Sequence, residues 1–265
     1  MPDTDGPVTV RTLAAMKKRG ERITMLTAYD YPTAQLLDRA GIDCLLVGDS
    51  LGMVVQGHKT TVPVTLDQII YHGEMVARAA QRAMVVVDLP FPVGQVSIPH
   101  TLECSARIMK ETQCQAVKME GGHQQSDAIR ALVDAGIPTI AHIGLRPQSV
   151  HALGGYRVQK DGDLLMRDAL AAQGAGAFAV LIECVPAELA KVVTEKLSVP
   201  TIGIGAGPGC DGQVLVTNDM LGWNSGYIPK FVRQFADLKS LATDAVTAYR
   251  QQVRDGAFPG SKEAF

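Results

Sequence analysis

Aromatic residues are scarce in this chain, 5% of 265 residues with a single Trp, and charge of either sign is in no excess: 25 Lys+Arg stand against 27 Asp+Glu. A formal net charge of −2 leaves no positive field to grip a phosphate backbone, which argues against nucleic acid as a partner and toward small molecules. No long hydrophobic run is present. The most apolar stretch, Ala169 to Val185, is broken by Gln173, two glycines and Glu183, and falls short of the ~20 residues a spanning helix needs. The opening Met1-Pro-Asp-Thr-Asp-Gly6 carries acids where a secretory leader has a basic start, so a cytoplasmic protein is expected. Cysteine is sparse and odd in number: Cys44, Cys104, Cys114, Cys184 and Cys210 are scattered and never form Cys-x-x-Cys, which fits neither a disulfide framework nor a zinc site. Reduced, mostly buried thiols are the expectation.

Against these absences stands 46% hydrophobic residues, enough to bury a substantial core. The apolar residues fall in eight short runs: Ile23–Ala28, Asp43–Val47, Met84–Val87, Ala116–Met119, Thr139–Ala141, Phe178–Ile182, Thr201–Ile204 and, weakest, Val214–Val216. Continuous rather than alternating apolarity suits strands covered on both faces. Amphipathic helices are predicted between them at Pro32–Ala40, Leu66–Arg82, Leu102–Lys110, Gln125–Ala135, Leu164–Gln173 and Glu188–Leu197. Thr65 with Gln68 forms a capping-box signature, and Asp163 is placed to cap the Leu164 run. Val8–Lys18 is predicted to plug one barrel end, and Lys230–Gly256 reads as a helical tail. The alternation predicts an α/β fold, a (β/α)8 TIM barrel forming a single domain over residues 1–265.

Three connections exceed the ~2–6 residues a βα loop needs: Ser50–Val64, Leu89–His100 and Ile143–Gly162. All follow strand C-termini, the face on which barrel active sites sit. Chemistry gathers there too, because the apolar runs end in Asp49, Asp88, Glu120, His142 and Glu183. A barrel draws strand ends around one centre, where several carboxylates repel unless a cation or protons neutralise them. A hard divalent ion such as magnesium is the natural inference, with Asp49 and Asp88 as ligands and Glu120 as a third ligand or the holder of a metal-bound water. Lys118 points to the same side as Glu120 and either balances the acids or contacts an anionic substrate. Ser50 is a turn residue or a donor to a substrate carboxylate, and His142 is structural or an accessory to the site. Glu183, framed by Leu181, Ile182, Cys184 and Val185, has the desolvated setting of a general base. A base beside a Lewis-acid site points to enolisation next to a carbonyl. The Gly203–Gly209 run fails the Gly-x-Gly-x-x-Gly spacing, since position 208 is Pro, and is a weak nucleotide signal.

The segments Thr27-Ala-Tyr-Asp30, Val47-Gly-Asp-Ser-Leu-Gly-Met53, Asp88-Leu-Pro-Phe91, Val117-Lys-Met-Glu-Gly-Gly122, His142-Ile-Gly-Leu145, Pro147-Gln-Ser-Val150, Leu181-Ile-Glu-Cys-Val-Pro186 and Ile202-Gly-Ile-Gly-Ala-Gly207 together resemble the ketopantoate hydroxymethyltransferase family. The resemblance implies Mg²⁺ and transfer of a one-carbon unit from 5,10-methylenetetrahydrofolate to 3-methyl-2-oxobutanoate, giving 2-dehydropantoate in pantothenate biosynthesis. It places the metal on Asp49, Asp88 and Glu120, the oxo acid on Asp49, Ser50, Asp88 and Lys118, and the catalytic base at Glu183. It also implies a homo-oligomer, commonly a decamer. The sequence departs from the family pattern at Pro92-Val93-Gly94 and at Lys160, both in the long loops. Related metal-dependent lyases carry a Lys-Cys-Gly-His loop that this chain lacks, and a non-catalytic binding barrel would need no base in an apolar frame.

Overall fold

The structure, a computed structural model, describes residues 6–224 and 226–265. The acidic opening Met1–Asp5 therefore lies outside the described residues. Eight parallel strands close on themselves in sequence order: β1 (Ile23–Thr27), β2 (Cys44–Val47), β3 (Met84–Asp88), β4 (Ala116–Glu120), β5 (Thr139–Gly144), β6 (Ala179–Glu183), β7 (Thr201–Ile204) and β8 (Gly212–Leu215), which pairs back onto β1. The helices are α1 (Val10–Arg19), α2 (Tyr31–Arg39), α3 (Leu51–Val54), α4 (Leu66–Ala79), α5 (Val93–Val96), α6 (Ile98–Thr112), α7 (Ser126–Asp134), α8 (Gly162–Gly174), α9 (Ala187–Lys196), α10 (Thr217–Met220) and α11 (Leu238–Arg254). The (β/α)8 barrel expected from the alternating pattern is the architecture observed. By packing, the chain divides into two compact units, residues 1–216 and 217–265; the first holds the barrel and the second holds α10 and α11.

The barrel interior is lined by one residue in two along each strand, the strand period of two. Met84 and Val86 of β3, Ala116 of β4, Ile140 of β5, Ala179 and Leu181 of β6, and Ile202 of β7 form a buried apolar cluster. Val8, Leu13 and Met16 join it from below, so α1 plugs the end where the strands begin. Lys17 fastens that plug, its Nζ reaching Asp211 Oδ2 at 2.7 Å and the Thr194 carbonyl at 3.1 Å.

Helix ends follow local chemistry. Thr65 and Gln68 form the reciprocal capping box on α4. Asp161, not Asp163, caps α8: its side chain accepts from the Leu164 amide at 2.9 Å, and Gly162 is drawn into the first turn. α6 begins at Ile98, because the Ser97 hydroxyl caps it, and so consumes the end of the second long loop. The tail is helical only from Leu238, where Asp237 caps the helix; residues 230–237 are irregular. Pro92-Val93-Gly94 opens the one-turn α5, whose Gly94 lies so near Met119 that a Cβ there would come within 2.8 Å of it. Lys160 is exposed in the third loop. All five cysteines are free, and four of them are buried.

Candidate active site

Continuing the interior period of two past the apolar layers places the next inward residues at the barrel mouth: Asp88 above Val86, Lys118 and Glu120 above Ala116, His142 above Ile140, and Glu183 above Leu181. Strand register then sets neighbours, with Asp88 beside Lys118, Glu120 beside His142, and Glu183 beside Gly144. Asp49 follows β2 by two residues, and its backbone N–H donates to Asp88 Oδ2 at 3.0 Å. Gly48 must lack a side chain here, because a Cβ would fall 2.8 Å from Ser50 Oγ and 3.5 Å from Asp88 Oδ2.

A buried chain of polar groups crosses the mouth. Lys118 Nζ lies 2.8 Å from Asp88 Oδ1, an ion pair off the hydrogen-bond line, and 3.2 Å from His142 Nδ1. An ammonium has only donors, so His142 Nδ1 accepts and the ring proton sits on Nε2. That nitrogen lies 3.1 Å from Glu183 Oε2. Burial, and then the Lys118 charge, hold the imidazole pKa well below its ordinary value, so the ring is neutral. Burial alone would depress the Lys118 ammonium, but Asp88, Asp49 and Glu120 outweigh it and raise the pKa.

The carboxyls behave oppositely. Burial pushes Asp88 up to about 7, opposed by Lys118 and reinforced by Asp49. Glu120 is held well above the usual carboxylate range by burial and by Asp49, although Lys118 and the Gln148 amide pull it down. Glu183 rises to about 7, again by burial, with Lys118 opposing. One fixed cation thus faces four carboxyls, and the excess negative charge is what a divalent ion would relieve. Hard carboxylate oxygens suit magnesium, which takes few protein ligands and retains water. Among the described residues no three Asp, Glu, His or Cys side chains are gathered closely enough to hold a metal ion, so Asp49, Asp88 and Glu120 do not form a closed three-ligand set as they stand. In donor chemistry and charge, the residues fit such an ion.

The expected residues therefore converge, with Ser50 slightly apart. Ser50 begins α3 without capping it, and its hydroxyl instead shares a 2.8 Å hydrogen bond with the buried Tyr29 hydroxyl. Tyr29 is held by its carbonyl, 2.6 Å from His72 Nδ1, while the next residue, Asp30, caps α2. Gly144 takes φ +84°, and a Cβ there would strike the Glu183 carbonyl at 2.4 Å, so this glycine lets β5 and β6 run close enough to present the base.

Two residues of the mouth carried no assigned role in the sequence reading. Tyr29 is one, and its phenol gives no pattern to read. Gln148 is the other: it stands in the overlong third loop, and an amide side chain carries no signal of acid, base or ligand chemistry. Its Nε2 donates to Asp49 Oδ2 and to the Leu89 carbonyl, each at 2.9 Å, and its backbone N–H points at both Glu120 oxygens.

Similar folds occur in phosphonopyruvate hydrolase, solved as a complex with oxalate and Mg++ (TM-score 0.64, 15% identity, 96% of this chain and 92% of that one), and in 2,3-dimethylmalate lyase (TM-score 0.59, 18% identity, 97% and 91%). At such identity the likeness concerns the barrel alone. Sequence relatives are far closer. Proteins named 3-methyl-2-oxobutanoate hydroxymethyltransferase are 61% identical in Rhodopirellula baltica (97% of this chain, 96% of that one), 56% in Desulforapulum autotrophicum (97% and 98%) and 50% in Pelobacter propionicus, where both chains are covered completely. The family model for ketopantoate hydroxymethyltransferase matches residues 7–261, and with identity of this order along almost the whole length, the chain belongs to the ketopantoate hydroxymethyltransferase family.

Proposed function

We propose that this protein transfers a hydroxymethyl group from 5,10-methylenetetrahydrofolate to 3-methyl-2-oxobutanoate, giving 2-dehydropantoate and tetrahydrofolate with uptake of one water. The observation that carries this reading is the pairing, in one barrel mouth, of a partly buried Glu183, raised to about 7, with a carboxylate cluster two strands away. Asp49, Asp88 and Glu120 would hold Mg²⁺. When bound, the ion supplies Lewis acidity beside the keto oxygen, which makes the C3 proton easier to remove. Lys118 and the Ser50 hydroxyl face the anionic end of the oxo acid. Glu183 takes the proton from C3, and the resulting carbon nucleophile forms the new C–C bond to the one-carbon unit. Neutral His142 stands beside the base, its Nε2 3.1 Å from Glu183 Oε2 but off the hydrogen-bond line, so it is a close polar neighbour of the carboxylate and not its anchor.

No helix among the described residues is long and apolar enough to cross a membrane, and the reading places the enzyme in the cytoplasm, acting on small molecules as a homo-oligomer, a decamer by family resemblance. Incubating the protein with Mg²⁺, the oxo acid and methylenetetrahydrofolate should yield 2-dehydropantoate, followed by NMR. Cleavage of a 2-oxo acid instead would favour a lyase, and binding without any product a non-catalytic barrel.

A further inference from the structure

We propose that Gln148 is a positioning residue that sets Asp49 and Glu120 in the arrangement the cation requires; this rests on the Mg²⁺ reading above. Gln148 is only 7% exposed, and every bond it makes at the mouth is a donation. A primary amide nitrogen has two hydrogens, and both are spent, one on Asp49 Oδ2 and one on the Leu89 carbonyl. The reversed amide would set its oxygen against these two oxygens, so the network fixes which way the group points. The backbone N–H meanwhile faces Glu120 Oε1 at 3.1 Å and Oε2 at 3.2 Å.

One residue of the loop after β5 therefore ties together Asp49 and Leu89, which follow β2 and β3, and Glu120, the last residue of β4. Hydrogen bonds of this kind orient a ligating carboxylate. The choice of side chain is telling. Lysine or arginine could donate as well, but would add a positive charge that competes with the cation, whereas an amide donates without charge.

The test is Gln148→Met, which preserves side-chain volume and the backbone N–H to Glu120 but removes both side-chain donors. Mg²⁺ is titrated calorimetrically into the metal-stripped full-length protein well below its melting temperature, and the Mg²⁺-induced rise in Tm is measured in parallel. Loss of an outer hydrogen bond to a ligand typically costs ~10–100-fold in metal affinity, so Kd should rise at least about tenfold and the Tm increment should shrink with it. Should Met unfold the loop, Gln148→Asn keeps the amide one methylene short of its partners, and its Kd should rise severalfold. Wild-type Mg²⁺ affinity in whichever variant folds, beside a wild type that binds, overturns the inference while leaving the proposed reaction intact. A wild type that takes up no Mg²⁺ overturns both.

Discussion

Glu183 is the proposed base, and its setting has consequences for rate and for stability. Only the ionised carboxylate can accept a proton, so exchange of the C3 proton of 3-methyl-2-oxobutanoate for deuterium, with Mg²⁺ and without folate, should increase as pH rises through about 7 and level off above it. Glu183→Gln should abolish that exchange; exchange at the wild-type rate would remove Glu183 as the base. The same burial makes the group costly to charge. The folded-state pKa lies above the usual 4.5, so the favourable contribution of the neutral acid is complete below that value and is lost as pH climbs toward about 7. Such a shift is worth about 3 kcal/mol, and Glu183→Gln should therefore melt several degrees above wild type at pH 8 and show no gain at pH 4.5. That Asp88, Glu120, His142 and Glu183 stand at strand ends around one barrel mouth was readable from sequence, because an ionisable group ending an apolar strand is conspicuous. Tyr29 and Gln148 lie within segments that carry the family resemblance, but neither side chain announces a role of its own, because its partners are set by the fold, Gln148 standing 99 residues from Asp49.

At the scale of elements, strands were easier to read than their margins. Six of the eight strands have no exposed residue, while β1 exposes Thr24 and β8 exposes Gln213; short apolar runs located all eight, although β8 begins at Gly212, two residues before its first Val, because ladder pairing to Ile23 rather than side-chain polarity defines its start. Helix starts depended on a competition between nearby caps, which Asp161 won over Asp163 by reaching the Leu164 amide. The distinction between scaffold and site can be measured with two substitutions. Thr65→Ala removes a solvent-exposed cap from α4 that bonds no candidate site residue, and it should cost ~1 kcal/mol with exchange activity retained. Gly144→Ala imposes a left-handed backbone on alanine and a clash with the Glu183 carbonyl, so it should both lower Tm and cut deuterium exchange at least tenfold. Equal activity in the two variants at matched stability would mean that the β5 end does not govern the base.

For the molecule as a whole, the unit from Thr217 onward poses a physical problem. Its helix α11 repeats Leu238, Leu241, Ala245, Tyr249 and Val253 at three- and four-residue spacings, an apolar stripe along one face, yet none of its residues is buried. Leu238 is partly covered, but Leu241 is 64% exposed, Tyr249 58% even with its edge-to-face contact to Phe258, and Val253 44%. An isolated helix of this length is marginal in water, and its stability normally comes from packing the apolar face. Another copy of the chain is the partner that the family resemblance implies. Light scattering across the micromolar range should accordingly give a mass that is a multiple of 28.2 kDa. Tyr249→Asp, which sets a charge in the middle of the stripe, should reduce that mass while proton exchange per subunit persists. A wild type at the mass of one chain throughout the range would refute self-association, and an undiminished assembly in the variant would move the contact away from this helix.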